Sequence, residues 1–360
     1  MESTMHEAPA GFSPRPRIDY LATGGTIASL PGVAPGVTPT LAAADIAASA
    51  VDLSAIADLR SSQFLQVPST LISVADLLRL RDELAARVAD GSRGLVITQG
   101  TDTMEETAFV LDLLWDDDTP VVVTGAMRAP SFPGGDGPAN LLAAVQVAAS
   151  EAARGMGVLV VLVVLDNEIH AARFVRKTHT SSMSAFASPL VGPLGWVSEG
   201  RPVFATRPTT RAHLDLPAAA EAPPVALLRA SLDDDGRIVR ALGGLGFRGA
   251  VIEGFGGGHV TPAMAASIAE LLPDMPVVLA SRTGAGEVFT DIYRFPGSEI
   301  ELMELGVIRS GALDGLKARL LLALCLAAGY STDDIAVAFG QVGTTAGPIM
   351  ATRRAPAGQS

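Results

Sequence analysis

The sequence predicts an α/β protein: a larger N-terminal domain on a doubly wound, mostly parallel sheet, followed by a smaller C-terminal α/β domain. Three observations predict it. Short β-rich runs alternate with longer runs at helical spacing, the signature of βαβ units. At 360 residues the chain exceeds the length over which one core usually keeps growing. The alternation lapses once, between about Trp196 and Pro224, and then resumes.

Taken in order, residues 1–16 lack the apolar stretch of a secretory signal and read as a flexible tail. The first strand is expected at Ile18–Ala22, where an apolar run ends at two glycines. Helical spacing over Val74–Ala89 precedes a strand at Gly94–Thr98. A helix at Glu105–Trp115, a strand at Pro120–Thr124 and a helix at Ala139–Ala153 continue the pattern. The run "VLVVLVVL" at Val158–Leu165 is too short for a bilayer, which needs about 20 residues, and fits a strand buried on both faces. These elements form a domain over 17–200. Prolines and small residues without a sustained period mark 201–223 as a linker, since proline stiffens an extended chain and removes ladder donors. Strands at Val225–Arg229, Gly249–Ile252 and Pro276–Ala280, with helices at Pro262–Leu272 and Gly311–Ala328, build the second domain over 224–350. Residues 351–360 read as a second tail.

Composition narrows the function. Hydrophobic content of 48% with 18% charged residues excludes a disordered chain. A formal net charge of −12 repels polyanions, so nucleic acid is not an expected partner. No segment is long and apolar enough to imply a membrane, and the expected location is the cytoplasm. The single cysteine, Cys325, lies in an apolar helical run and reads as a buried thiol. The histidines show no HExxH spacing, so a catalytic zinc is not expected.

Two turns carry the chemistry. In "IDYLATGGTIAS" (Ile18–Ser29) and "GLVITQGTDTMEETA" (Gly94–Ala108), a strand ends in glycine and threonine. Ligands of open α/β sheets sit beyond the carboxyl ends of the strands, so Thr23, Thr26, Thr98, Thr101 and Thr103 should crowd that edge. Thr103 followed by Glu106 has the spacing of a capping box, starting a helix near Met104. The free N–H groups there favour negative charge and could meet a developing oxyanion. A phosphate cradle is a weaker reading, since GxGxxG and GxxxxGK[ST] spacings are missing. Two ordinary tight βα turns remain the plain alternative.

The motifs "ATGGTIAS" (Ala22–Ser29) and "TQGTDTMEETA" (Thr98–Ala108) resemble the two signatures of the bacterial-type L-asparaginase family. The likeness continues through "PVVVTGAMR" (Pro120–Arg128), "DGPANL" (Asp136–Leu141), "RFVRKTHT" (Arg173–Thr180), "GPLG" (Gly192–Gly195) and "GFGGGH" (Gly254–His259). It implies hydrolysis of the side-chain amide of L-asparagine without a cofactor. Carried over by motif, Thr26 becomes the nucleophile that forms an aspartyl ester, and Thr101, Asp102 and Lys177 form a second catalytic set. Asp102 would bind the substrate α-ammonium, Ser69 its α-carboxylate, and Gly25 and Gly100 would line the pocket. The family's Gln-Asp after that serine is replaced by Thr70 and Leu71. Its customary tyrosine in the segment after the first turn is missing too, with Val37 at that place. Tyr293, supplied by a partner subunit, is the expected substitute, and Glu299 the acidic residue expected to reach the substrate amino group across the interface. His259 stands where many members carry asparagine, while His179 matches no family role. The Pro- and Gly-rich segment Pro31–Pro39 is the expected lid. The resemblance further implies a homodimer or homotetramer with its site at a subunit interface. Glutamine or another amide as substrate, and a non-catalytic asparagine or aspartate sensor, are the alternatives.

Overall fold

A computed structural model describes residues 15–33, 35–155, 161–209, 211–216 and 220–345. Nearly all of both expected tails, and the first three residues of the run beginning at Val158, lie outside the described residues. Strand β1 (Arg17–Gly24) leads into a 3-10 turn at Thr26–Ala28 and a hairpin of β2 (Ser29–Pro31) with β3 (Val37–Pro39). Then come β4 (Asp58–Val67), β5 (Gly94–Thr98), β6 (Val121–Thr124), β7 (Val161–Leu165) and β8 (Glu168–Ala171). A two-stranded ribbon follows, β9 (Arg176–Lys177) with β10 (Phe186–Ala187), and then β11 (Gly195–Ser198) and β12 (Arg201–Phe204).

The large sheet runs β12-β11-β8-β7-β6-β5-β1-β4. From β7 to β4 all pairs are parallel, while β8, β11 and β12 add an antiparallel edge. Successive residues of each central strand face opposite layers. Ile18, Tyr20 and Val96 pack beneath the helix Gly137–Ala149, and Leu21, Leu95 and Ile97 pack beneath Val74–Ala89 and Met104–Leu114. Burial on both faces is why these strands read as unbroken apolar runs.

The smaller sheet is wholly parallel, in the order β13 (Val225–Arg229), β14 (Gly249–Gly254), β15 (Val277–Ser281) and β16 (Ile308–Arg309). Helix Pro262–Leu271 covers one face. Helix Gly315–Ala327 covers the other and packs against Met104–Leu114, so one apolar core runs from the large sheet into the small one. Cys325 is fully buried in that helix, which pushes its thiol up to about 12.

Several elements differ from expectation. Residues 201–204, read as linker, form the edge strand β12, where Pro202 pairs with Val197. Proline is tolerated there because an edge strand has one unpaired side. The helix expected over Ala139–Ala153 breaks at Ser150, whose hydroxyl accepts from the Ala153 N–H and starts a separate turn. The C-terminal helix begins at Gly315 rather than Gly311, because Asp314 caps it by accepting from the Lys317 N–H. Strand β4 and helix Thr332–Val342 were not anticipated. No helix among the described residues is long and apolar enough to cross a membrane.

Candidate active site

At the carboxyl ends of β1 and β5, three backbone segments meet closely enough to exclude side chains. A Cβ on Gly25 would fall 2.1 Å from the Gly100 nitrogen. A Cβ on Gly100 would meet the Ser69 side chain at 2.9 Å. The Gly25 N–H donates to the Val67 carbonyl at 3.2 Å. The glycines of both turns are therefore contact residues, and they bring Thr26, Thr101 and the buried Ser69 onto adjoining turns. Thr26 opens the 3-10 turn and is half-buried, with Ile27 and Ala28 anchored in the core behind it.

Thr101 is the buried first residue of a 3-10 turn, Thr101–Thr103, that enters helix Met104–Leu114. Lys177 Nζ donates to Thr101 Oγ1 at 2.8 Å and to Asp102 Oδ1 at 2.6 Å. Two ribbon strands present this lysine, Lys177 pairing with Phe186. Its own N–H donates to Glu105 Oε2 at 3.1 Å. Burial pushes the Glu105 carboxyl above the usual range, against the pull of Lys317. Sequence had singled out Lys177 but not Glu105 or Lys317. The available signal was a lysine at position 317, with Arg319 one of only two charged residues in a largely apolar helical run.

The capping box expected from Thr103 and Glu106 does not form. No side-chain cap closes this helix. Instead the Thr103 hydroxyl donates to the Ser69 carbonyl at 3.0 Å and accepts from Gln99 Nε2 at 3.1 Å. Thr103 thus ties the Ser69 turn to the Thr101 turn.

An open hollow of about 340 Å³ lies over this cluster, lined by Asp102, Lys177, Thr178, His179 and Thr180. His179 is exposed, and its Nδ1 accepts from the N–H groups of Ser181 and Ser182. Hollows of about 420, 400 and 450 Å³ lie elsewhere, but none of their walls carries a lysine. The hydroxyl–amine–carboxylate contact makes the smaller hollow the chemical candidate.

Tyr293 and Glu299 sit apart from this set, on the smaller domain. The fully buried Glu299 accepts on Oε1 from the N–H groups of Ile292 and Tyr293, and its Oε2 lies 3.0 Å from His259 Nε2. Burial acts to raise its pKa, but those N–H groups and the His259 charge outweigh it and hold the carboxyl below the usual range. The Tyr293 ring meets His259 edge-on at 5.1 Å and is about half exposed. No hydrogen bond joins Tyr293 or Glu299 to Thr26, Thr101 or Lys177 among the described residues. The expected lid is the β2–β3 hairpin, with Val37 opposite Pro31.

Comparison with known proteins gives the family. A sequence-family model described as "Asparaginase, N-terminal" matches residues 17–210, and one described as "Glutaminase/Asparaginase C-terminal domain" matches residues 224–339. The chain belongs to the asparaginase family. An L-asparaginase of Bacillus licheniformis is 34% identical over 313 residues, covering 86% of this chain and 95% of the relative. A glutaminase-asparaginase of Pseudomonas fluorescens biotype A is 36% identical over 278 residues, 74% of this chain and 75% of that one. Among solved structures, the "Probable Cytoplasmic L-asparaginase" of Campylobacter jejuni superposes with a TM-score of 0.81 at 32% identity, covering 90% of this chain and 99% of that chain. The two asparaginase family models meet the chain on either side of residues 211–223.

Proposed function

We propose that the chain hydrolyses the side-chain amide of L-asparagine to L-aspartate and ammonia, through a threonine nucleophile and a covalent aspartyl ester. Its family makes it a hydrolase of linear amides. The observation that supports the mechanism most is the position of Lys177 Nζ, 2.8 Å from Thr101 Oγ1 and 2.6 Å from Asp102 Oδ1. A threonine hydroxyl is a poor nucleophile until a neighbouring group takes its proton.

In this reading the Thr26 oxygen adds to the amide carbon while its proton passes to the Thr101–Lys177 pair. That proton returns to the leaving nitrogen as the C–N bond breaks, releasing ammonia. Water then attacks the ester, its proton travels through the same pair, and Thr26 recovers its hydroxyl as aspartate leaves. Asp102 receives the substrate α-ammonium by a charge-assisted contact, and Ser69 receives the α-carboxylate. A second assignment, Thr101 itself as nucleophile, is favoured by its direct contact with Lys177.

Tyr293 and Glu299 enter this reading through a second copy of the chain, in a homodimer or homotetramer. Phe289, Ile292, Tyr293 and Phe295 form an exposed apolar patch suited to such contact. The cytoplasm is the proposed location, in keeping with the Campylobacter jejuni protein, a probable cytoplasmic L-asparaginase. Glutamine as main substrate is the second functional reading, favoured by the Pseudomonas fluorescens relative. Ammonia release from asparagine and glutamine separates the two, since one methylene is worth roughly 10–200-fold in kcat/KM. Asparagine should lead by at least about tenfold; equal or reversed rates contradict the substrate assignment. In the same assay a Tyr293→Phe variant should lose turnover, and unchanged turnover removes Tyr293 from the site.

A further inference from the structure

The two residues that precede the lysine of the site, Val175 and Arg176, are held by the other domain. Lys317, on helix Gly315–Ala327, is fully buried. Its Nζ donates to the Val175 carbonyl at 2.7 Å, two residues before Lys177. The same Nζ lies 3.0 Å from Asp314 Oδ2 and 3.8 Å from Glu105 Oε2. Glu105 Oε2 is the atom that accepts the Lys177 N–H. Between these two holds, the Arg176 guanidinium donates to the Gly284 carbonyl at 2.5 Å and faces Asp314 at 3.6 Å. Val175, Arg176 and Lys177 are thus fixed in succession, and Lys317 holds the first directly and faces Glu105, the partner of the last.

We infer that Lys317 is a positioning residue, a clasp from the smaller domain that sets where Lys177 stands relative to Thr101 and Asp102. The inference rests on the proposed hydrolysis and extends it across the domain boundary. Removing two charges from water is costly, and well-packed apolar residues often replace a buried ion pair without loss of stability. A purely structural role therefore gives no reason for an ammonium here. Positioning does, because one ammonium reaches both the Val175 carbonyl and the Glu105 carboxylate, which flank the segment ending at Lys177. Displacement of a reacting group by about 1 Å can cost on the order of 100-fold in rate.

The charges of the cluster balance, Glu105 and Asp314 against Lys317 and Arg176, and this permits a clean test. Lys317→Met or Glu105→Gln alone leaves the buried cluster with one charge in excess, so each should lower the melting temperature. The double variant leaves Asp314 facing Arg176 and removes the other pair together. The double variant should melt closer to wild type than either single one. Its kcat for ammonia release from asparagine should nevertheless stay at least tenfold below wild type, because methionine cannot donate to the Val175 carbonyl. A double variant with kcat within about twofold of wild type overturns the inference. One that melts below both single variants also overturns it, assigning Lys317 to stability alone. Wild type and Lys177→Met run alongside. An inactive wild type, or a Lys177→Met variant as fast as wild type, overturns the proposed reaction itself, and with it the clasp.

Discussion

Gly25 combines a φ of 81° with ψ near −170°, a region that essentially only glycine visits. It also abuts the Gly100 backbone, so a methyl group has no room on either count. Gly25→Ala is expected to destabilise the fold by roughly 1–3 kcal/mol and to lower kcat about 100-fold by moving Thr26. Thermal melting and ammonia release read the two effects separately; wild-type values in both would show that the contact is dispensable. The threonine–glycine turns were legible because glycine between an apolar run and a hydroxyl is a local signal. Thr103 was misread for the opposite reason. Its spacing to Glu106 fits a cap, but Ser69, 34 residues earlier in the chain, claims the hydroxyl, and no local pattern announces a distant acceptor.

Helix Gly315–Ala327 shows how an element carries pH dependence. Burial acts to raise the pKa of its cap, Asp314, but the Lys317 charge, hydrogen bonds from Lys317 and the Arg176 charge outweigh it, and the carboxyl lies below the usual range. A depressed carboxyl adds stability above the unfolded value, about 3.9, and loses it as the pH falls through the folded value. Glu105, pushed up by burial, titrates in the opposite sense: its contribution is present at low pH and is lost as the pH rises through the folded value. Asp314→Asn keeps a capping oxygen and removes the charge. It should cost roughly 3–5 kcal/mol at pH 7, with the deficit narrowing below about pH 4 as Asp314 is protonated in the wild type. Urea unfolding at both pH values checks this, and a deficit independent of pH contradicts it. The doubly buried strands and the amphipathic Val74–Ala89 helix were legible, since burial writes itself into hydrophobic pattern. Strand β12 was not, because its arginine and proline resemble linker chemistry and only pairing with β11 makes it a strand.

At the scale of the molecule, the two sheets share a continuous core, and the polar clasp lies within that shared region, between Glu105 and Lys317. The proposed chemistry sits on the larger domain, while the smaller domain holds the segment that presents Lys177. Sequence could place each motif along the chain but not this cross-domain contact, since 140 residues separate Lys177 from Lys317 and no pattern links them. For the same reason the role proposed for Tyr293 and Glu299 rests on contact between two copies of the chain. The central claim is that the adjoining threonine turns, served by Lys177, hydrolyse a carboxamide. Ammonia release from asparagine by wild type, Thr26→Ala and Thr101→Val, each verified as folded, tests it most directly. Both variants should fall by roughly 100- to 10,000-fold in kcat; three equal rates would contradict the account.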